Sequence, residues 1–147
     1  MSTTPKSSAI VQPMDPIWDA ITQSARDIMV NEPSLARLVV STILNHDRFE
    51  TALAHRLAAR LDHPDVPADL IRQAFDEALA ARTEIAEEAR ADLSATFERD
   101  PACHRLIEPL LFFKGYQAIQ THRFAHQLLK MGRRDFALYL QSRSSQV

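Results

Sequence analysis

Apolar side chains recur every three or four residues along almost the whole chain, which is the spacing of a single helix face. The repeat is clearest at Phe49, Leu53, Leu57 and Leu61. No run of residues alternates β-branched and polar side chains as a half-buried strand would, and the 147 residues include only two glycines. The sequence therefore predicts an all-α domain of about six to eight helices joined by short loops.

Prolines and capping residues indicate where the helices begin and end. Asp15 followed by Pro16 predicts a helix start, because an aspartate side chain caps free amides and proline suits the first helical position. Asp47 is a candidate cap for the next clear helix, which is predicted from Arg48 to about Leu61. The segment from His63 to Pro67 is predicted to be a loop, since it contains two prolines in five residues.

The second half of the chain is predicted to hold helices over residues 68–82 and 83–98, or one interrupted helix there, followed by a long helix. That long helix is predicted to end at Gly132, where its apolar face runs out and a left-handed residue can close it. A last amphipathic run covers residues 136–140. The apolar residues assigned to the core in these segments include Leu70, Phe97, Ile119 and Leu129.

Composition and charge restrict the class of protein. With 147 residues and 46% apolar content, one helical domain with a modest core is the default. The net charge of −2 and the pI near 6.3 argue against a dedicated nucleic-acid binder, because such proteins usually have a strongly basic face. No nucleic-acid partner is therefore expected.

Cysteine content and the absence of targeting patterns predict a cytoplasmic protein. The single cysteine, Cys103, excludes an intramolecular disulfide and fits a reducing compartment. No apolar run approaches the roughly 20 residues of a membrane span, and no secretory signal is recognised at the start of the chain. Residues 1–14 are rich in Ser, Thr and Pro and are predicted to be a disordered leader.

Charge is distributed unevenly between two segments. The segment from Asp62 to Asp100 contains 11 acidic and 4 basic residues, whereas Lys114 to Arg143 contains 6 basic residues and 1 acidic residue. Two solvated faces are the ordinary interpretation. The alternative is that the basic segment meets an anionic ligand or the acidic segment of a neighbouring subunit. A basic DNA-binding helix pair is the least favoured interpretation of the second segment.

Few residues form a pattern that could carry chemistry. His122 and His126 lie four residues apart and share a helix face, as two metal ligands would, but the sequence places no third ligand beside them. No metal site is therefore expected. Cys103 and His104 are adjacent and point in different directions, so they are a poor nucleophile and base pair. Two glycines 17 residues apart cannot form a phosphate-binding loop.

A specific resemblance is carried by P-L-L-F-F-K-G-Y-Q-A-I-Q-T-H-R and G-R-R-D-F-A-L-Y-L-Q-S-R. Both segments resemble the N-terminal helical domain of serine O-acetyltransferases. Three earlier segments are similar to the same domain in the same order: D-P-I-W-D-A-I, N-E-P-S-L-A-R and N-H-D-R-F-E-T-A-L-A-H-R-L-A. The resemblance extends from about Asp15 to Arg143, and residues 15–147 are assigned to this helical domain.

The resemblance implies a reaction and a missing part. Serine O-acetyltransferases transfer the acetyl group of acetyl-CoA to L-serine, the first step of cysteine biosynthesis from serine. In the family, a V-D-I-H-P segment and a left-handed β-helix of hexapeptide repeats follow the helical domain and hold the catalytic histidine and the acetyl-CoA groove. This sequence contains neither. The resemblance therefore implies no catalytic residue and no bound cofactor in this chain, which is expected to be inactive alone.

One substrate-binding position is implied by the resemblance. Asp100, in the segment R-D-P-A, matches the family aspartate that helps to hold the substrate serine. A carboxylate can pair with the serine ammonium group and orient its hydroxyl. Pro101 would fix the loop that presents this carboxylate. The alternative interpretation is an ordinary turn residue, since an aspartate before a proline is common at a helix end.

The resemblance also implies partners. In the family the helical domains join trimers into hexamers, so a homo-oligomer is expected, and O-acetylserine sulfhydrylase binds a C-terminal tail that is absent here. The apolar stripe of the first helix is a candidate for the subunit contact or, alternatively, for the core of a single subunit: Ile17, Trp18, Ile21 and Ile28. A non-catalytic helical interaction module left by truncation is the alternative function.

Overall fold

Eight α-helices account for most of residues 14–147, the part of the chain that the computed structural model describes. The predicted leader falls almost entirely on residues 1–13, outside this part. The helices are α1 (Pro16–Asn31), α2 (Ala36–Val39), α3 (Phe49–Leu61), α4 (Ala68–Ala81), α5 (Glu84–Arg99), α6 (Ile107–Phe112), α7 (Lys114–Lys130) and α8 (Arg134–Gln146). Residues 14–147 contain no strand, and the all-α prediction is confirmed.

Local capping explains where α1 begins but not where α3 begins. The Asp15 carboxylate accepts the Trp18 N–H at 3.1 Å, with Pro16 at the first helical position, as predicted. The prediction that Asp47 caps α3 is wrong. Arg48 precedes the helix in an extended conformation, and no side chain caps this end. The extended residue places Asp47 one position too far from the free amides.

The region between α1 and α3 is tightly wound and then widened. A 3₁₀ turn over Pro33–Leu35 leads into α2, and the helix then widens into a π turn over Val40–Leu44. The Asn45 N–H donates to the Val40 carbonyl at 2.9 Å across that wider turn. A π turn admits one extra residue per turn, so the helix direction shifts before the chain enters α3.

The core is built around α3, α4 and α7. The four-residue repeat of α3 is buried throughout, as predicted. Phe75 on α4 and Phe124 on α7 pack with their ring centroids 4.4 Å apart. Helix α7 also contacts α3, α5, α6 and α8, which makes it the central element. The largest fully buried side chains are Phe49, Phe75, Phe124, Ile21, Ile43, Leu53, Leu57, Leu61, Ile71, Ile85, Leu93 and Ile107.

Four residues assigned to the core from their spacing are exposed instead: Leu70 by 51%, Phe97 by 41%, Ile119 by 57% and Leu129 by 37%. A four-residue repeat drifts by about 40° per step on a 3.6-residue helix. The stripe that starts at Ile85 has therefore turned by roughly 120° when it reaches Phe97. Apolar spacing alone does not show which part of a wide stripe the neighbouring helices cover.

Polar residues occupy part of the buried face of α7, which explains the error at Ile119. Gln117, Gln120 and Thr121 are all buried. The Gln117 amide donates to the Leu110 carbonyl at 2.8 Å, and the Thr121 hydroxyl donates to the Gln117 carbonyl at 2.9 Å. Because these side chains have hydrogen-bond partners, their burial is tolerated. The inward face of α7 therefore differs from the face that its apolar residues indicate.

The apolar stripe of α1 belongs to the core of the single chain. Trp18, Ile21 and Ile28 are buried among the other helices, and Ile17 is partly buried against the same core. These four side chains are therefore occupied within one chain. Their proposed use as a contact between subunits is not supported, and the core-only alternative describes them.

The acidic and basic segments contact each other within the chain. Arg123 on α7 pairs with Glu88 at 2.7 Å and with Asp92 at 2.6 Å, both on α5. Arg133 pairs with Glu77 on α4 at 2.9 Å. Part of the charge asymmetry is thus neutralised between neighbouring helices, which neither of the two sequence interpretations foresaw. None of the helices described is long and apolar enough to cross a membrane.

Gly132 ends α7 as predicted, with a φ of +83°. The Arg133 N–H donates to the Leu128 carbonyl at 2.9 Å, and the Gly132 N–H donates to the Leu129 carbonyl at 3.1 Å. This pair of bonds defines a Schellman motif, which requires a left-handed residue after the helix. The motif turns the chain so that α8 packs back against α7.

The two glycines provide a matched test of this helix end. We expect Gly132→Ala to lower the free energy of unfolding by about 1 kcal/mol, because an L side chain is strained at positive φ. The added Cβ of Gly115→Ala, in the first turn of α7, meets no atom within 4 Å. We expect that variant to keep or slightly raise stability. Urea unfolding of both variants checks the prediction, and equal effects would contradict it.

Candidate functional site

Helix α5 ends at the segment that carries Asp100. The Asp100 N–H makes the last helical bond, to the Thr96 carbonyl at 2.9 Å, and the residue itself is extended, with φ −90° and ψ 111°. Pro101 follows and is exposed. A residue before proline is disfavoured in the helical region, so the sequence itself stops α5 here and begins the loop of residues 100–106.

The Asp100 carboxylate is oriented by its own loop and has one oxygen free. Its Oδ1 accepts the Ala102 N–H at 2.9 Å, and its carbonyl accepts the Cys103 N–H at 3.0 Å, as in an Asx turn. Its Oδ2 accepts no hydrogen bond from any residue of the part described. The residue is half-buried. This arrangement presents a fixed acceptor with a negative charge, which suits a cationic or hydrogen-bond-donating ligand.

The far end of the loop is held by a second carboxylate. Glu108, in the first turn of α6, accepts the His104 N–H at 2.9 Å and the Arg105 Nε–H at 2.9 Å. Burial alone would raise the pKa of Glu108, but the His104 amide and the Arg105 guanidinium hold that pKa below its ordinary value. Glu108 is therefore a charged anchor for residues 104 and 105, and nothing in the sequence pattern singled it out.

Cys103 lies inside the same loop and shows no activation as a nucleophile. Its side chain is buried, and its thiol donates to the Arg105 carbonyl at 3.3 Å. Burial raises the pKa of the thiol, and the nearby Glu108 charge raises it further. Because the thiolate is the reactive form, this environment suppresses nucleophilic chemistry. Cys103 is a buried structural residue of the loop.

The two histidines of α7 lie on a different surface. His122 and His126 are both exposed and line a shallow depression of about 430 Å³ together with Lys130 and Arg82. Glu88, in the same depression, is already paired with Arg82 and Arg123. Within residues 14–147 no group of three metal-ligating side chains forms. The structure therefore does not bring these histidines together with Asp100 or with a further ligand.

A polar layer between α5 and α7 fixes the helix that ends at Asp100. The Gln120 amide donates to the Asp92 carboxylate at 2.9 Å, and the buried Tyr116 hydroxyl donates to the Ala89 carbonyl at 2.9 Å. Burial raises the pKa of Tyr116 strongly, so its hydroxyl stays protonated. These bonds hold α5 at a defined position along α7, and sequence reasoning missed them because their partners are 27 and 28 residues apart.

Arg90 joins three elements around a second, larger depression of about 1130 Å³. Its guanidinium pairs with Asp15 at 2.8 Å, with Glu50 at 2.9 Å and with Glu87 at 3.3 Å. The cluster ties the starts of α1, α3 and α5 together. It lies along the first half of α5, away from Asp100, so it orients that helix without taking part in the Asp100 loop.

An arginine also positions α6, which carries Glu108. Arg56 on α3 donates from Nη2 to the Leu111 carbonyl at 2.6 Å. A cation at the carbonyl end of a helix compensates for acceptors that lack an intrahelical partner. In the same way Arg143 on α8 donates to the carbonyls of Leu61 and Asp62 at the end of α3. The Arg56 contact thus fixes the far end of α6, the helix that follows the Asp100 loop.

Comparisons of the sequence with known proteins point to one family. The family model for the N-terminal part of serine acetyltransferases matches residues 17–121, a range that contains Asp100 and Glu108. A probable serine acetyltransferase of rice, Oryza sativa subsp. japonica, is 42% identical over 134 residues. That alignment covers 90% of this chain and 44% of the rice protein.

Solved structures show the same fold. The crystal structure of serine acetyltransferase from Brucella abortus is 50% identical with a TM-score of 0.89, over 91% of this chain and 55% of that one. A further structure of that Brucella protein is a complex with coenzyme A. The Neisseria gonorrhoeae serine acetyltransferase in complex with serine is 36% identical with a TM-score of 0.88, over 94% of this chain and 57% of that one.

The extent of these matches defines what the chain shares with its relatives. It spans about half the length of the proteins that it matches, and the shared half is the N-terminal one. Identity of 36 to 50% over nearly the whole chain, together with the family model, is sufficient to assign the family. The resemblance seen in the sequence is thereby confirmed: the chain belongs to the serine acetyltransferase family, as its N-terminal helical domain.

Proposed function

We propose that this chain is the serine-contacting part of a serine O-acetyltransferase, which converts acetyl-CoA and L-serine into O-acetyl-L-serine and CoA. The observation that carries the proposal is the Asp100 carboxylate, oriented through Oδ1 and free at Oδ2. The Neisseria relative in complex with serine and the Brucella relative in complex with coenzyme A support the choice of substrates.

In the proposed reaction Asp100 binds and orients L-serine. Its free oxygen accepts a charge-assisted hydrogen bond from the serine ammonium group, which is shorter and stronger than a neutral one. The hydroxyl of the bound serine then points toward a general base in the catalytic domain. That base removes the hydroxyl proton while the oxygen attacks the acetyl carbonyl, and CoA departs as the thiol. This chain contributes binding and orientation, which lower the entropy cost of the reaction.

Pro101 is proposed to act through the backbone. Its ring fixes its own φ and removes a backbone donor, so the chain cannot continue α5 past Asp100. The extended conformation of Asp100 follows from this restriction. Pro101 therefore belongs to the substrate site as the residue that sets the direction of the loop, without contacting serine.

The remaining family properties are proposed for the longer enzyme. These are residues 15–147 as one helical domain, a catalytic β-helix domain elsewhere, acetyl-CoA as the co-substrate, a homo-oligomer in the cytoplasm, and O-acetylserine sulfhydrylase as a partner of a C-terminal tail. Since the α1 stripe is buried, exposed apolar side chains such as Val30 and Leu70 are better candidates for contacts between subunits. A helical interaction module is the alternative function.

The proposal is tested by comparing two proteins in a thiol-release assay with serine and acetyl-CoA. One is the 147-residue chain. The other is the complete enzyme, meaning this chain followed by the catalytic half of the family, from its own gene or from the Brucella relative. We expect turnover from the complete enzyme and none from the chain alone, because Asp100 supplies neither the base nor the acetyl-CoA site.

Each of the other results would change the assignment. Turnover by the 147-residue chain would show that it contains catalytic groups that the proposal places elsewhere. A folded complete enzyme without turnover would contradict the acetyltransferase proposal and favour the interaction module. A matched control joins the helical half of the Brucella relative to the same catalytic half. Turnover by that protein would show that the joined catalytic half is functional.

A further inference from the structure

We propose that Glu108 is a positioning residue for the Asp100 carboxylate, because it clamps the loop that presents Asp100. This inference rests on the proposed function, in which Asp100 binds serine. Glu108 contacts neither the substrate nor the reacting atoms. Its effect on the reaction passes through the backbone of residues 101–105.

The loop is held at three places, and Glu108 provides the last of them. Asp100 is tied to the end of α5 by its own amide and to Ala102 by its carboxylate. Cys103 is buried at the centre of the loop. Beyond it, no backbone hydrogen bond within the part described holds the His104 amide, which donates only to Glu108 Oε1. Asp100 holds the amides of Ala102 and Cys103, so the end of the loop at His104 is the part that depends on the Glu108 carboxylate.

Burial distinguishes Glu108 from an ordinary surface acid. Its side chain is only 13% exposed, and both of its oxygens accept hydrogen bonds. Asp69 occupies the same second position of α4 and pairs with Arg72, which lies three residues after it rather than three before, yet its side chain is 88% exposed. A largely buried carboxylate with two charge-assisted or backbone bonds is worth far more than an exposed pair. Of these two acidic residues, Glu108 is therefore the one that can order the loop beside it.

The clamp acts on Asp100 through Ala102. The Ala102 N–H orients Asp100 Oδ1, and Ala102 lies between the end of α5 and the amide that Glu108 holds. Without the clamp, residues 101–105 sample more conformations, and the carboxylate must be ordered when serine binds. That ordering entropy weakens serine binding. The maximum rate is affected little, because the bound state still forms the same contacts.

The test measures steady-state kinetics of the complete enzyme with four variants. We expect Glu108→Ala to raise the KM for serine about tenfold while kcat and the KM for acetyl-CoA change less than about twofold. Glu108→Gln keeps an acceptor for the His104 amide and loses the Arg105 ion pair, so we expect a rise of about threefold. Asp69→Ala, the matched control, is expected to leave all three constants unchanged, and Asp100→Ala tests the serine site itself.

A second readout follows the loop directly in the 147-residue chain. Hydrogen exchange of the Ala102 and His104 amides is expected to accelerate in Glu108→Ala and to stay unchanged in Asp69→Ala. A residue that only stabilises α6 would lower the unfolding temperature without a selective rise in the KM for serine. The glutamine side chain of Glu108→Gln has nearly the same volume as glutamate. If Glu108→Ala fails to fold, Glu108→Gln therefore tests whether residue 108 positions the loop.

The failures of the two proposals are distinguishable. The proposal that Glu108 clamps the loop is contradicted if Asp100→Ala weakens serine binding but both Glu108 variants keep the wild-type KM for serine and the wild-type exchange rates. The assignment of Asp100 to the serine site is contradicted if Asp100→Ala also leaves the KM for serine unchanged. A rise in the KM for acetyl-CoA that equals the rise for serine would likewise overturn the clamp, because it would indicate a general distortion.

Discussion

Replacing Asp100 by alanine is expected to reduce kcat/KM for serine by at least about 30-fold in the complete enzyme, with the KM for acetyl-CoA nearly unchanged. Removal of one partner of a hydrogen-bonded charge pair costs about 2–5 kcal/mol, much of it from the other charge left unpaired. Here that other charge is the serine ammonium group. Steady-state kinetics with each substrate varied in turn measures the effect.

Asp100→Asn is the matched control for this change. The asparagine side chain can still accept the Ala102 N–H, so it keeps the Asx turn that orients the loop. It lacks the negative charge that the serine ammonium group requires. We expect kcat/KM for serine to fall nearly as much in this variant as in the alanine variant. Wild-type kinetics in Asp100→Asn would contradict a charge-based role, and wild-type kinetics in both variants would remove Asp100 from the site.

The largest stability effect is expected for Phe124→Ala in the 147-residue chain. Phe124 is fully buried on the central helix and packs against Phe75, with ring centroids 4.4 Å apart. Truncation of a buried phenylalanine costs about 3–5 kcal/mol, since transfer free energy is lost and a cavity remains. That loss is a large share of the roughly 5–15 kcal/mol that stabilises a typical domain. Urea unfolding followed by circular dichroism measures it.

Phe97→Ala is the matched control, because it makes the same substitution at an exposed phenylalanine. Phe97 lies in the last turn of α5 and is exposed, so we expect its truncation to change the free energy of unfolding by less than about 1 kcal/mol. Helix spacing assigned Phe97 to the core although the structure leaves it exposed, and the two measurements therefore separate periodicity from burial. Similar losses in the two variants would show that the outer end of α5 is covered in solution.

Most of the helices could be predicted because their signals are local. The Asp15 cap, the α3 repeat, the loop from His63 to Pro67 and the Gly132 turn each depend on residues within one or two helical turns of each other. The exception is Asp47, where an extended Arg48 intervenes. The candidate site was predictable only at Asp100 and Pro101, through the resemblance, since a carboxylate before a proline is an ordinary turn on its own.

Glu108, Arg90 and Gln120 show what sequence reasoning missed around the site. Arg90 pairs with Asp15, which is 75 residues away in the chain, and Gln120 hydrogen-bonds to Asp92, which is 28 residues away. Such pairs arise only when helices from distant segments meet. Glu108 is close to its partners in sequence, but its importance depends on its burial, and burial of an acidic side chain is contrary to the ordinary expectation.

The sequence by itself determined that the chain forms helices, where most of them start and stop, and which family it resembles. Those properties follow from backbone bonds and caps that act between residues a few positions apart. Only the tertiary structure decided which face of each helix is covered, so that Gln120 is buried while Ile119 is exposed. It also decided that the Glu108 side chain is largely buried where it accepts the His104 N–H. Burial is a property of the neighbours that a helix acquires, and in this fold those neighbours come from distant parts of the chain.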